Sequence, residues 1–193
     1  TILNGPWMVS EEKFDEMNTA GEIYWTENGD GQPYGKIYLE ESQGQIPNDF
    51  WGIEFGTNQR ASLEVENLFK KRCFDFPKPV SLICNILKLG ASNDSLILDF
   101  FSGSATTAHA VMQLNAEDGG NRKYICVQLP EQTPEDSEAR KAGYITIPEI
   151  AKERIRRAGK KILEEQKAKV EKEGLFTEEP KKLDTGFKVF KLD

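Results

Sequence analysis

The sequence predicts an α/β protein with parallel strands and flanking helices, preceded by an N-terminal α+β appendage that contains a short hairpin. Two observations predict this class. From residue 77 onward, helical and strand-like apolar patterns alternate along the chain. Before residue 60, short strand-like runs are separated by a glycine-rich turn. We therefore divide the chain into an appendage, residues 1–75, and a parallel-sheet domain, residues 76–193.

The appendage is predicted to contain two helices and a hairpin. An amphipathic segment covers residues 10–17, with Ser10 as its N-cap. Strand-like runs at residues 22–25 and 36–40 are the predicted arms of the hairpin. Helical spacing returns at residues 58–68, so the appendage leads back into the second part of the chain through a helix.

Three helices and three parallel strands are predicted in the second part. The first helix begins at Pro79, because a missing N–H costs little in a first turn. Strands are predicted at residues 96–98, 121–131 and 186–192, the first two of them buried. Apolar residues of the first helix are Val80, Ile83, Ile86 and Leu87.

The last predicted helix follows Thr146, which forms a capping-box pattern with Glu149. It carries nine basic and five acidic residues over positions 148–172, whereas the whole chain has a net charge of −7. Its basic side chains are expected either to touch a phosphate backbone or, more commonly, to form a solvated face. Its predicted buried stripe consists of Ile150, Ile155, Ala158 and Ile162.

The most informative segment joins the strand at residues 96–98 to the following helix. The strand ends in Asp99, and a tight loop of small residues around Gly103 leads into a helix with Ala108, Val111 and Met112 on one face. Small residues let the backbone approach a ligand, and a helix start presents N–H groups to it. A carboxylate at such a strand end is where Rossmann-like domains hold a nucleoside or an amino-acid group. The segment predicts a cofactor site, and a turn that binds nothing or another nucleotide is the alternative.

The loop resembles the S-adenosylmethionine-binding loop of amino methyltransferases that act on adenine or cytosine in DNA, whose pattern is D-[PF]-F-x-G-S-G-T-T. The resemblance implies part of a Rossmann-like S-adenosylmethionine-dependent methyltransferase fold, with that molecule as cofactor. Ala105 replaces the last glycine, and we expect this change to be mild because that glycine mainly permits close packing of helix on strand. The matching residues are Asp99, Phe100, Phe101, Ser102, Gly103, Ser104, Ala105, Thr106 and Thr107.

Segments on both sides of the loop extend the resemblance. Lys78 and Pro79 open a helix like the one that, in these enzymes, closes over the methionine part of the cofactor. Gln128 stands where family members often carry a glutamate that binds the ribose hydroxyls. Its amide can hydrogen-bond two hydroxyls, although more weakly than a carboxylate. The resemblance therefore adds Lys78, Pro79 and Gln128 to the cofactor-binding residues, with Glu131 as a weaker substitute for Gln128.

The order of these segments is similar to the C-terminal half of the modification subunit of type III restriction–modification systems. That resemblance implies a DNA adenine-N6 methyltransferase acting on a flipped base. It also implies three partners for the intact enzyme, namely DNA, a restriction subunit and a second modification subunit. Residues 1–75 would then be the tail of the target-recognition region.

The catalytic motif of this family, [DNS]-P-P-[YFW], has no counterpart here, because no two prolines are adjacent in the chain. The chain also starts at Thr1. We therefore expect a piece of a larger enzyme that contains no catalytic residue and is inactive by itself. Two other functions stay open, namely a non-catalytic docking module for a restriction subunit and a Rossmann oxidoreductase domain. The second is disfavoured because the loop has one glycine where a dinucleotide fingerprint has three.

Composition predicts a cytoplasmic protein without a membrane partner. No apolar run approaches the roughly 20 residues that span a bilayer, and no signal peptide opens the chain. The scattered cysteines, Cys73, Cys84 and Cys126, are predicted to be reduced and buried rather than to bind metal or form a disulfide. The single histidine, His109, is predicted to have a packing or capping role.

Overall fold

The computed structural model describes residues 9–26, 31–36, 38, 46–173 and 183–191. The chain forms two compact units, Thr1–Asp49 and Phe50–Asp193. Helices, an antiparallel pair of strands and a parallel pair occur together, which confirms the α/β class. The chain passes from one unit to the other between Asp49 and Phe50, whereas the functional boundary at residues 75 and 76 stays a prediction.

The first unit contains the predicted helix and hairpin. Helix α1, Glu11–Thr19, begins after Ser10, whose hydroxyl accepts the N–H of Lys13 at 3.3 Å. Strand β1, Ile23–Trp25, pairs antiparallel with β2, Pro33–Gly35. The second arm therefore comes earlier than the predicted residues 36–40, of which 37, 39 and 40 lie outside the described residues. The chain turns early because the carbonyl of Thr26 accepts the N–H of Gly31 at 3.0 Å.

The second unit is mainly helical. A 3-10 turn at Ile53–Phe55 precedes α2, Asn58–Phe69, whose predicted position is confirmed. Helix α3 covers Val80–Gly90 and α4 covers Thr106–Asp118. A short helix, α5, covers Glu138–Lys141 and the long α6 covers Ile147–Glu173. At the start of α6, a carboxylate oxygen of Glu149 accepts the N–H of Thr146 at 2.9 Å. This is one of the two bonds of the predicted capping box, the one in which the glutamate reaches back to the capping residue.

The parallel sheet has two strands in the described part of the chain, not the three that we predicted. Strand β3, Leu96–Asp99, pairs with β4, Lys123–Cys126, and Asp99 lies opposite Cys126. The predicted third strand is wrong, because residues 183–191 contain no strand, while residue 192 lies outside the described residues. This tail packs on α6 instead, with the ring of Phe187 lying 5.5 Å from the guanidinium carbon of Arg156. An apolar pattern of this length can be satisfied by a helix surface as well as by strand pairing.

One face of this sheet is exposed, which corrects the prediction of two buried strands. Leu96 is 61% exposed and Leu98 is 53% exposed, and Ile125 of β4 is also exposed. Ile97 and Tyr124, which point the other way, pack against the core. The helices of this unit therefore cover one face only, although parallel sheets are usually covered on both.

Helix α4 is the centre of the core. Its residues Ala108 and Met112 pack against α6, including Ile155 and Ala158. The neighbouring residues Ala110, Val111 and Leu114 pack against α3. The predicted stripe of α6 is confirmed, since Ile150, Ile155, Ala158 and Ile162 are all buried. On α3 the pattern was wrong at Ile86, which is exposed, because the buried face passes through Cys84 instead.

Candidate functional site

The loop between β3 and α4 lies at the carboxyl ends of both parallel strands. The N–H of Val127 donates to the carbonyl of Asp99 at 2.8 Å, which continues the pairing one residue beyond β4. The N–H of Ser102 then donates to the carbonyl of Val127 at 3.1 Å. These bonds hold the loop against the segment that follows β4, so the two predicted parts of the cofactor site are adjacent.

Asp99 connects the beginning of the loop to the beginning of α4. One carboxylate oxygen accepts the N–H of Phe101 at 3.2 Å. The other accepts the hydroxyl of Thr107 at 2.6 Å. A short charge-assisted bond of this kind restrains both partners. Asp99 therefore determines the shape of the loop.

Gln128 contacts the loop directly. Its amide oxygen accepts the N–H of Gly103 at 2.8 Å. The sequence pattern did not reveal this bond, because 25 residues separate the two groups. A ribose role for Gln128 stays a prediction, and with the oxygen engaged, such a role would fall mainly to the two donors of the amide nitrogen.

Two loop residues have left-handed backbone conformations. Gly103 has φ of +50°, and a Cβ at this position would lie 3.1 Å from the Cζ atom of Phe74. Ala105 also has a positive φ, 62°, although it carries a Cβ and is fully buried. For an alanine this conformation costs on the order of 1 kcal/mol. The replacement of glycine by alanine at position 105 therefore adds strain that we did not expect from the sequence.

The N-terminus of α4 has no side-chain cap. Its N-cap residue is Ala105, and its first turn contains no acidic residue. The first N–H groups of a helix have no partner within the helix, and the helix dipole makes this end positive. The beginning of α4 is therefore a potential anion site, but by itself it would be a common feature of helices.

A buried arginine makes this helix end unusual. The Nη1 atom of Arg154, from α6, donates to the hydroxyl of Ser104 at 2.7 Å and to the hydroxyl of Thr106 at 2.8 Å. Arg154 is 0% exposed, and its Nε and Nη2 atoms have no hydrogen-bond partner in the described part of the chain. A cation with unsatisfied donors thus lies directly behind the loop.

Burial changes the acid–base properties around Arg154. It lowers the pKa of the Arg154 guanidinium to about 10, against a smaller opposing effect from the carboxylate of Glu64. Burial, followed by the charge of Arg154, lowers the pKa of His109 to about 3. His109 is therefore neutral at physiological pH, and it is buried, in agreement with the predicted packing role.

The position of Arg154 corrects one expectation for α6. We expected the basic residues of this helix either to contact phosphates or to form a solvated face, and Arg154 does neither. The sequence contained a signal for this, because Arg154 lies four residues after Ile150 and four before Ala158, both on the buried stripe. Helical spacing alone would have placed it inside.

The remaining predicted site residues lie at the start of α3 and just after the end of β3. Pro79 is buried as the N-cap of α3, and the N–H of Val80 donates to a carboxylate oxygen of Glu64 at 3.0 Å. Lys78 is exposed and forms no hydrogen bond with the loop among the described residues. Phe100 and Phe101 are 62% and 85% exposed, so the tip of β3 presents two aromatic rings to solvent.

The thiol of Cys126, which lies beside Ser102 of the loop, is protonated at neutral pH. Burial and, to a smaller extent, the charge of Asp99 raise the pKa of Cys126 to about 11. Cys73 and Cys84 are buried, as predicted, whereas the prediction was wrong for Cys126, which is only partly buried; all three cysteines are free. No group of His, Cys, Asp and Glu side chains in the described ranges has the arrangement of a metal site. Among the described helices, none is long and apolar enough to cross a membrane.

Comparison with known proteins agrees with these features. A family model described as a DNA methylase matches residues 8–171. The chain is 38% identical over 162 residues to the Mod subunit of the type III restriction-modification enzyme StyLTI from Salmonella typhimurium, covering 84% of this chain and 25% of that protein. It is 43% identical over 123 residues to the EcoPI Mod subunit of Escherichia phage P1, covering 64% and 19%. The resemblance to type III modification subunits is confirmed.

A type II enzyme is also similar. The chain is 34% identical over 149 residues to the methyltransferase M.KpnI of Klebsiella pneumoniae, covering 77% of this chain and 35% of that protein. The chain therefore spans about a quarter of the length of its StyLTI relative and about a third of M.KpnI.

Proposed function

The chain belongs to the DNA methylase family, and from this premise we propose that it is the S-adenosylmethionine-binding part of a DNA adenine-N6 methyltransferase of the type III modification class. The observation that carries the proposal is the position of the Asp99–Thr107 loop. This loop lies at the carboxyl ends of two parallel strands and leads into a helix whose N-terminus has no side-chain cap. Open α/β sheets bind their ligands at such strand ends.

The loop supplies the groups that a nucleoside with an amino-acid side arm requires. Backbone N–H groups at the beginning of α4 suit the carboxylate of the methionine part. Asp99 holds the loop against the first turn of α4, through its bonds to Phe101 and Thr107. Lys78 and Pro79 lead into α3, the helix that would close over this part of the cofactor, and Gln128 would bind the ribose.

The exposed aromatic residues extend this proposal toward the nucleobase. Phe100 and Phe101 are exposed just after the end of β3. Aromatic faces in such a position suit contact with an adenine ring. Together with the residues named above, the proposed cofactor-binding loop also includes Ser102, Gly103, Ser104, Ala105 and Thr106.

In the intact enzyme, N6 of a flipped adenine would take the methyl group of the sulfonium, leaving S-adenosylhomocysteine and releasing a proton. None of the proposed binding residues takes part in that transfer, and we expect this chain to be inactive by itself. DNA, a restriction subunit and a second modification subunit are the proposed partners of the intact enzyme, which we propose to be cytoplasmic.

Titration calorimetry with S-adenosylhomocysteine tests the proposal. We expect the chain to bind this product, and the variant Gly103→Asp to lose binding, because it adds a side chain next to Phe74 and a negative charge at the loop. Gly143→Asp is the matched control, since Gly143 also has a positive φ, +91°, but has open space around its Cβ position. If the wild-type chain binds no ligand at millimolar concentration, or if both variants bind equally well, the proposal is wrong.

A non-catalytic docking module for a restriction subunit stays the second candidate. Two observations favour it, namely the engagement of the Gln128 amide oxygen by Gly103 and the strained alanine at position 105. Both would follow if a former binding loop had become a structural one. The same titration separates the candidates, because a docking module predicts no heat from S-adenosylhomocysteine.

A further inference from the structure

We propose that Arg154 is a positioning residue that makes the cofactor loop selective for a ligand carrying a carboxylate at its amino-acid end. This inference rests on the proposed function. It concerns a residue that has no predicted role in the loop and that reaches it from α6, 48 residues beyond Thr106.

The burial of Arg154 is costly without an anion. A buried guanidinium loses its hydration, and two of its nitrogens, Nε and Nη2, have no partner in the described part of the chain. Among the described residues Arg154 forms no salt bridge, and the carboxylate of Glu64 raises its pKa by less than burial lowers it. His109 is close enough to be influenced by it but is itself neutral. The charge of Arg154 is therefore offset only in part, by Glu64, and not by a direct ion pair within the described residues.

The location of this charge is unfavourable for the protein alone. Arg154 lies behind the N-terminus of α4, which is already the positive end of the helix dipole. Two positive sources at one place repel each other, but together they favour an anion bound at the loop. The carboxylate of Asp99 is bonded to Phe101 and Thr107 and not to Arg154.

Arg154 does not touch the ligand itself, because its side chain is 0% exposed. It acts through the two hydroxyl groups that it holds, one in the loop at Ser104 and one in the first residue of α4, Thr106. These bonds fix the backbone between residues 104 and 106, where the helix begins. The guanidinium also contributes its charge to the potential in front of the loop, and this contribution is large because the surroundings are apolar.

The carboxylate distinguishes two adenosine ligands. S-adenosylhomocysteine carries an amino-acid group, whereas 5′-methylthioadenosine has the same nucleoside and sulfur without it. If Arg154 acts on the carboxylate, its removal lowers the affinity for S-adenosylhomocysteine and leaves the affinity for 5′-methylthioadenosine unchanged. A residue that merely stabilises the fold would change both affinities by the same factor.

The experiment measures the dissociation constants of both ligands by calorimetry for wild type, Arg154→Met and Arg154→Lys. We expect Arg154→Met to bind S-adenosylhomocysteine about tenfold more weakly, as for the loss of one favourable charge at a helix end, with less than a twofold change for 5′-methylthioadenosine. Arg154→Lys, which keeps the charge, should recover part of the loss. Arg157→Met is the matched control, because Arg157 lies on the same helix and bonds to the carbonyl of Leu68, not to the loop.

The pair Ser104→Ala and Thr106→Val provides a second route if Arg154→Met does not fold. This double variant keeps the guanidinium but removes its hold on the loop, and we expect the same selective loss. If the affinities for both ligands fall by the same factor, or if neither falls, the inference is wrong while the proposed function stands. A wild-type chain that binds neither ligand would overturn both.

Discussion

The guanidinium of Arg154 and the hydroxyl of Ser104 form a 2.7 Å hydrogen bond between residues that are 50 positions apart. Ser104 belongs to the loop that ends β3, and Arg154 belongs to the buried face of α6. Both side chains are almost completely buried. The bond therefore connects the proposed cofactor loop to the longest helix, and it explains why a charged residue lies inside this core.

Removal of the Ser104 hydroxyl should destabilise the fold. In Ser104→Ala the Nη1 atom of Arg154 would lose one of its two hydroxyl acceptors at a buried position. An unsatisfied buried donor costs about 1–3 kcal/mol of unfolding free energy. Urea denaturation followed by circular dichroism measures the difference. Ser62→Ala is the control, since its hydroxyl bonds to the carbonyl of Asn58 near the surface, and we expect a change within about 0.5 kcal/mol.

Two buried alanines should respond differently to replacement by glycine. Ala105 and Ala108 are both 0% exposed, but only Ala105 has a positive φ. Ala105→Gly relieves backbone strain while it removes a methyl group worth about 0.8 kcal/mol, so its net effect should be small. Ala108→Gly loses the methyl group and about 1 kcal/mol of helix propensity as well. Equal destabilisation in chemical denaturation would show that Ala105 is not strained.

His109 should make the stability of the fold depend on pH. Its pKa is about 3 in the folded state and about 6.5 when unfolded, so protonation favours the unfolded chain. The stabilisation is complete above pH 6.5 and decreases as the pH falls toward 3. Between pH 7.5 and pH 5 we expect the free energy of unfolding of the wild type to fall by about 2 kcal/mol more than that of His109→Gln. Parallel pH profiles of the two proteins in urea titrations would contradict this assignment.

Gly159 should control the docking of the C-terminal tail on α6. A Cβ at this position would lie 2.8 Å from the Cβ of Thr185, so Gly159→Ala must displace the tail although alanine favours the helix. We expect faster tryptic cleavage at Lys188 and Lys191 than in the wild type. Gly90→Ala, at a helix position with open space, is the control and should leave the cleavage rate unchanged. Protection of these sites in Gly159→Ala would mean that the tail does not depend on this contact.

Local patterns predicted most of the elements correctly. Helices α1, α2 and α4 and the buried stripe of α6 follow from apolar spacing and from capping residues, which act between neighbours in the chain. The loop that ends at Thr107 follows from the same kind of information. The third strand and the full burial of β3 were wrong, because strand pairing and coverage of a sheet face depend on distant segments. The apolar pattern of residues 183–191 does not predict whether they pair with a strand or pack on a helix.

The candidate site, too, was predicted in part from local sequence and was decided in part by tertiary contacts. The sequence by itself determined which loop is the candidate site, since Asp99, Gly103 and the two threonines are close together in the chain and their chemistry is local. Only the tertiary structure decided what holds that loop, namely the amide of Gln128 and the buried guanidinium of Arg154. Both contacts join residues far apart in the chain, so they depend on how β4 and α6 pack against the loop. Helical spacing indicates that Arg154 is buried, but not which groups it contacts.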